Sequence, residues 1–223
     1  MTINAENITA SYTSGVILFQ PITFRVESGT RCAITGKNGT GKSTLMKILA
    51  GLLSPASGSL HYTDAHGTAL APAQNMIGFA APYLTLYEEF TPMELIALDA
   101  DLRGIERTHR GEQLLNTWGL HHRRYSPVAT FSTGMKQRMK FILAMHHAPE
   151  LLLLDEPSAT MDDDGIATLG AVLDNATAEG MTIVIATNEE RDAALCSQRI
   201  PVLPAVRKPK TPSAPNTPAA LSS

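Results

Sequence analysis

The chain has 223 residues, 43% hydrophobic and 17% charged, enough apolar material for one α/β domain of ordinary size or slightly above. Its formal net charge of −3 excludes a broad basic footprint for nucleic acid. Two cysteines, Cys32 and Cys196, exclude a disulfide framework; both lie in apolar stretches, as buried thiols of a reducing compartment do.

The first residues, Met1-Thr2-Ile3-Asn4-Ala5-Glu6, have neither the basic nor the apolar region of a signal peptide. Residues 3–8, 16–19 and 22–26 read as short strands separated by turn residues. Arg31-Cys32-Ala33-Ile34-Thr35 reads as a buried strand. It feeds Gly36-Lys37-Asn38-Gly39-Thr40-Gly41-Lys42-Ser43, which fits G-x-x-x-x-G-K-[ST], the phosphate-binding loop. Phosphates crowd against such a loop, so it must turn tightly and present bare N–H groups, which residues without Cβ permit. A helix starting near Lys42 adds donors and a positive dipole end. Gly36, Asn38, Gly39, Thr40, Gly41, Lys42, Ser43 and Thr44 are the candidate binding positions. Lys42 is expected at the β- and γ-phosphates and the Ser43 hydroxyl on Mg²⁺.

Gly51 closes that helix, a turn covers 54–58, and 59–63 and 76–80 read as strands. Residues 86–130 carry apolar residues at helical intervals and read as a helical insertion. Residues 134–147 and 165–178 are expected as helices, 151–154 and 181–187 as strands. Strands alternating with helices predict a parallel sheet, hence an α/β P-loop NTPase core with an N-terminal antiparallel β-layer. No apolar run is long enough to cross a bilayer, so a membrane role is expected only through a partner. Residues 204–223 hold five prolines and almost no large apolar residue; disorder is expected there.

Two further segments carry chemistry. Leu151-Leu152-Leu153-Leu154-Asp155-Glu156-Pro157 is an apolar strand ending in two carboxylates, and strand ends in parallel sheets line the ligand crevice. Asp155 suits a Mg²⁺ ligand; Glu156, one residue on, suits a base for an attacking water. Phe131-Ser132-Thr133-Gly134-Met135-Lys136-Gln137-Arg138 begins with a good N-cap, and Gly134 leaves N–H groups open.

The order of these segments resembles the nucleotide-binding subunit of ATP-binding cassette (ABC) transporters over about residues 1–203. The resemblance implies ATP and Mg²⁺ as ligands and two subunits packed head to tail, homo- or heteromeric. Ser132 and Gly134 would then contact the γ-phosphate held by the other chain. It also implies that Tyr12 stacks on adenine, although an ordinary strand aromatic fits as well, and that Asp162 lies in the loop linking the two sites. Asp163 and Asp164 favour the start of the following helix.

Three positions depart from that family. Thr133 replaces the first glycine of its usual L-S-G-G-Q. Pro82 stands where a glutamine is usual, and proline offers neither a side-chain acceptor nor a backbone donor. Asn188 stands where a histidine is usual, and asparagine donates a hydrogen bond without charge. Slow but real ATP hydrolysis is expected, with Glu156, Lys42 and Asn188 as the catalytic set.

The adjacent histidine pairs 121–122 and 146–147 read as solvated; the second sits in a helix, where sequence neighbours do not share a face and no acidic or cysteine ligand lies at a suitable offset. Arg123-Arg124 with His109 and Arg110 reads as a wet helix surface. The function expected is ATP hydrolysis driving a membrane transporter from the inner, cytoplasmic face of the membrane. A multi-span subunit is the expected partner, docking around Tyr83–Arg107 on anchors such as Tyr83, Leu84, Leu86 and Tyr87, which core packing explains equally well. Tyr83-Leu84-x-Leu86-Tyr87-Glu88-Glu89 and Thr187-Asn188-Glu189 resemble the haem-exporter-type subunit of cytochrome c maturation. A regulatory subunit with little turnover, and a soluble ABC-type ATPase unconnected with transport, remain as alternatives.

Overall fold

Four consecutive leucines, Leu151 to Leu154, are each wholly buried, yet they belong to two different cores. Leu151 and Leu153 join one cluster and Leu152 and Leu154 the other, because successive side chains of a strand point to opposite faces. A strand that is apolar on both faces must lie inside a covered sheet. The computed structural model, which describes residues 1–11, 15–64, 66–71, 74–106 and 109–205, places it there.

In chain order the elements are β1 (Thr2–Thr9), β2 (Ile22–Val26), β3 (Arg31–Thr35), α1 (Lys42–Leu49), β4 (Ser57–Thr63), β5 (Ala69–Leu70), β6 (Ile77–Ala80), α2 (Pro92–Arg103), α3 (Arg110–Thr117), α4 (Thr133–Met145), β7 (Leu151–Asp155), α5 (Asp163–Ala178), β8 (Thr182–Thr187), α6 (Glu190–Ala193) and β9 (Gln198–Pro201). They form an antiparallel sheet in the order β2-β1-β4-β5 and a parallel sheet in the order β6-β7-β8-β3-β9. The α/β class with an antiparallel β-layer is as expected.

One cluster joins the antiparallel layer to α1 and the parallel sheet: Ile3, Ile8 and Phe24 with Leu45, Met46 and Leu49, against Ile34, Leu153 and Val184. The other holds the opposite face of the sheet against α2, α3, α4 and α5, with Trp118 stacked on Phe141 at 5.4 Å between ring centroids. The helices at 92–103 and 110–117 fill the expected insertion. Thr91 and Glu94 cap α2 reciprocally as a capping box, which fixes where it begins.

Two expectations need correction. Residues 16–19 form no strand: Ile17 and Phe19 make isolated bridges to Ser11 and Pro204. Val16 and Ile17 stay exposed and only Phe19 is buried, so the segment lacks the one-sided burial that stabilises a strand. The pair His146-His147 is not solvated, since His146 is buried at 4% exposure and bonded to Asp99 of another helix. Within 204–223, Pro204 bridges Phe19 and the Ala205 amide donates to the Leu18 carbonyl, while 206–223 lie outside the described residues. Tyr12 also lies outside them. No helix among the described residues is long and apolar enough to cross a membrane.

Candidate functional site

In the parallel sheet the carboxyl ends of β3, β6, β7 and β8 share one edge. That edge therefore brings the 36–43 loop, the 81–90 loop, Asp155-Glu156 and Thr187-Asn188 together, although up to about 150 residues separate them in sequence.

The 36–43 loop is shaped by its glycines. Gly41, the N-cap of α1, has φ 100°, and a Cβ there would meet the Phe19 ring at 2.7 Å. A Cβ on Gly36 would meet the Val202 carbonyl oxygen at 2.8 Å. Side chains cap α2, α4 and α5, but none caps α1, so no side chain competes for its first amides. Lys42 is nearly enclosed; its ammonium donates to the Gly36 carbonyl at 2.9 Å and pairs with Glu156 Oε1 at 3.3 Å. Asn38, Gly39, Gly41, Lys42, Ser43, Thr44, Leu18 and Glu156 line a cleft of about 350 Å³.

Asp155 is 2% exposed. Burial raises its carboxyl above the ordinary range, although a hydrogen bond with the Ser43 side chain pulls the other way. Its Oδ1 is buried with no hydrogen-bond partner. A lone buried carboxylate oxygen beside a hydroxyl is costly unless a cation completes it.

Glu156 sits at φ 45°, a left-handed conformation uncommon outside glycine, asparagine and aspartate. This turns its side chain back over the sheet edge, where Oε2 accepts from Thr187 Oγ1 and from the Asn188 amide, both at 3.3 Å. Asn188 thus holds Glu156 through its backbone, leaving its own side chain exposed.

Pro82 follows β6 in a turn closed by the Leu84 amide on the Ala81 carbonyl, with proline at the position its fixed φ favours. The carbonyls of Pro82 and Ala81 accept from Lys140 at 2.7 and 3.4 Å, and Lys136 pairs with Glu88 at 2.6 Å. Two lysines one turn apart on α4 therefore tether this loop, a connection with no motif to announce it. Tyr83, Tyr87 and Phe90 are exposed, as are Leu52, Leu53 and Leu102, whereas Leu86 packs on a core cluster. Only Tyr83 and Tyr87 of the four expected anchors are thus clearly presented to solvent, with Leu84 half-buried.

Ser132 caps α4, its hydroxyl accepting from the Met135 amide at 3.3 Å. Ser132, Gly134, Arg138 and Asp162 line a separate cleft of about 300 Å³, with Arg138 bonded to Asp162 at 2.9 Å. Asp162 also caps α5 at the Gly165 amide, and Asp163 and Asp164 occupy the first turn of that helix. This cleft shares no lining residue with the one around Lys42 and Ser43. Buried Cys32 and half-buried Cys196 are inert thiols, pushed up to about 12 and about 11 by burial.

A sequence profile described as ABC transporter matches residues 19–159. The chain is 30% identical over 213 residues to the lipoprotein-releasing system ATP-binding protein LolD of Idiomarina loihiensis, covering 90% of this chain and 93% of that one. A solved ATP binding subunit of an ABC transporter superposes with TM-score 0.80 at 28% identity, over 91% of this chain and 86% of that one. A dimeric ATP-binding cassette in a post-hydrolysis state, bound to ADP and Pi, shares the fold with TM-score 0.76 at 21% identity, over 90% and 94% of the two chains. The chain belongs to the ABC transporter family, as its ATP-binding, ATP-hydrolysing subunit.

Proposed function

We propose that this subunit binds ATP with Mg²⁺ at the edge formed by β3, β7 and β8 and hydrolyses it slowly, within a pair of such subunits attached to a multi-span membrane protein. The observation that carries the reading is the convergence of Lys42, Ser43 and Glu156 on one cleft, with the Asp155 carboxyl hydrogen-bonded to the Ser43 side chain and its Oδ1 buried and lacking a partner. Ser43 and Asp155 are the residues that would hold Mg²⁺, which when bound neutralises charge on the phosphates. Gly36, Asn38, Gly39, Thr40 and Gly41 turn the backbone around the phosphates, Lys42 and Thr44 following at the helix start. Glu156, fixed by Thr187 and the Asn188 amide, takes the proton of the attacking water.

Ser132 and Gly134 lie in another cleft of the same chain. A second subunit placed head to tail brings them to the γ-phosphate, and a dimeric cassette with this fold supports the arrangement. Asp162, bonded to Arg138 of α4, links the two sites. The exposed apolar surface of Leu52, Tyr83, Tyr87 and Leu102 is the docking face for the membrane subunit, which puts the chain on the cytoplasmic side of the membrane.

Pro82 and Asn188 favour the slow limit. Pro82 supplies no side-chain acceptor to the water and Asn188 no charge to the γ-phosphate, and neutral hydrogen bonds are about half as strong as charge-assisted ones. Phosphate release from Mg²⁺-ATP by the purified chain, with and without co-expressed membrane subunit, tests the whole reading. Turnover unaffected by loss of Glu156 or of Mg²⁺ would overturn it. Binding without any phosphate release would instead support a regulatory subunit.

A further inference from the structure

We propose that Asp99, His146 and His147 form a binding site for a late first-row divalent cation, with zinc as the best fit, where the helical insertion meets the core. Asp99 belongs to α2; His146 and His147 follow α4 directly. One ligand atom from each lies within 4.8 Å of the other two. Zinc bonds of about 2.0–2.2 Å put tetrahedral ligands about 3.4 Å apart, so the Asp99–His146 pair, at 2.6 Å, has to open to admit the ion, and any spacing wider than that has to close. Two imidazoles and one carboxylate are a donor set that suits zinc and not magnesium.

The surroundings prepare the ligands. His147 Nε2 faces the Ile77 carbonyl at 3.3 Å, and a carbonyl only accepts, so that nitrogen carries the proton. Nδ1 then presents a lone pair, and it is buried with no hydrogen-bond partner. A backbone carbonyl behind a ligating imidazole is the usual outer support of a metal-bound histidine. His146 Nε2 stands 2.6 Å from Asp99 Oδ2. The cation takes the place of the proton between them, and that proton returns to the ring at Nδ1, so that the neutral imidazole binds through Nε2. A groove of about 310 Å³ lined by Ile77, Phe79, Asp99, Leu102 and Arg103 gives an entry path and room for a water as fourth ligand.

Arg103 competes for the site. Its Nε donates to the same Asp99 Oδ2 at 2.6 Å, so the guanidinium must move aside as the metal enters. The site has a built-in rival cation, and metal occupancy would give up a link within α2 and add His147 to the existing link between α2 and the end of α4.

The test is zinc titration of the full chain by calorimetry without nucleotide, with cobalt absorption as a second readout of a tetrahedral site. One equivalent of zinc is expected. His147→Ala should weaken it by at least about tenfold, and Arg103→Gln should strengthen it. His121→Asn with His122→Asn should leave it unchanged. Circular dichroism identifies any variant that fails to fold; Arg103→Gln, which keeps all three ligands, tests the proposal independently of His147. Absence of a zinc equivalent, its persistence in folded His147→Ala, or weaker binding in folded Arg103→Gln would each overturn the proposal.

Discussion

Lys42 Nζ lies 3.3 Å from Glu156 Oε1 while donating to the Gly36 carbonyl at 2.9 Å. The cation that suits a phosphate and the carboxylate that suits a water are thus paired with each other across the sheet edge. A triphosphate entering the loop competes with Glu156 for Lys42 and leaves that carboxylate facing the reacting end.

Glu156→Gln keeps the shape and removes the base. Hydrolysis should fall by about 10²–10⁴-fold, the usual contribution of general-base catalysis. ATP binding should hold or tighten, because a neutral amide releases Lys42, and gel filtration with ATP should show a species of doubled mass. Phosphate release equal to that of the parent chain removes Glu156 from the role.

Asn188→His adds a group that can be charged at the γ-phosphate. Turnover should rise by up to about tenfold, and the rate should gain an inflection near about pH 6.5, falling as the imidazole loses its proton. A flat pH profile with no gain means that the geometry of the loop after β8 limits the step.

Asp155 trades stability for binding. Burial raises its carboxyl above the ordinary range, against the pull of Ser43. With the folded value raised, the protonated form is favoured in the folded chain, and that contribution is complete below the unfolded value and lost as pH rises through the folded one. At neutral pH the ionised group therefore costs stability. Asp155→Asn should raise Tm in nucleotide-free buffer at pH 7, lose that advantage in acid, and abolish the effect of Mg²⁺ on ATP binding. A lower Tm at pH 7 would contradict the burial argument.

Gly41→Ala should cost about 1–3 kcal/mol by overpacking, since its Cβ would sit 2.7 Å from the Phe19 ring at φ 100°. Phe19→Leu in the same chain relieves the contact but not the backbone strain, so partial recovery in urea unfolding is expected. Full recovery would mean that the left-handed φ costs nothing.

Leu102 is 75% exposed, so Leu102→Asp should change stability by no more than about 0.5 kcal/mol. Co-purification with the membrane subunit should be lost, while phosphate release by the isolated chain stays unchanged. Undiminished co-purification moves the docking face elsewhere.

What could be read directly from the chain was whatever a few consecutive residues encode. The glycine spacing of the 36–43 loop, the doubly apolar run Leu151–Leu154 and the capping serine at 132 are local patterns, and each reappears at its expected place. Packing decided the rest. Phe19 is buried although its segment is no strand, because its ring fills the space that Gly41 leaves. Leu86 and Tyr87 are neighbours in the chain and part company, one to the core and one to solvent. His146 has no ligand at a helical offset, yet Asp99, 47 residues earlier, reaches it at 2.6 Å. Local patterns arise from backbone geometry over one or two turns; contacts between distant helices depend on how two faces dock, and no short window of sequence carries that information.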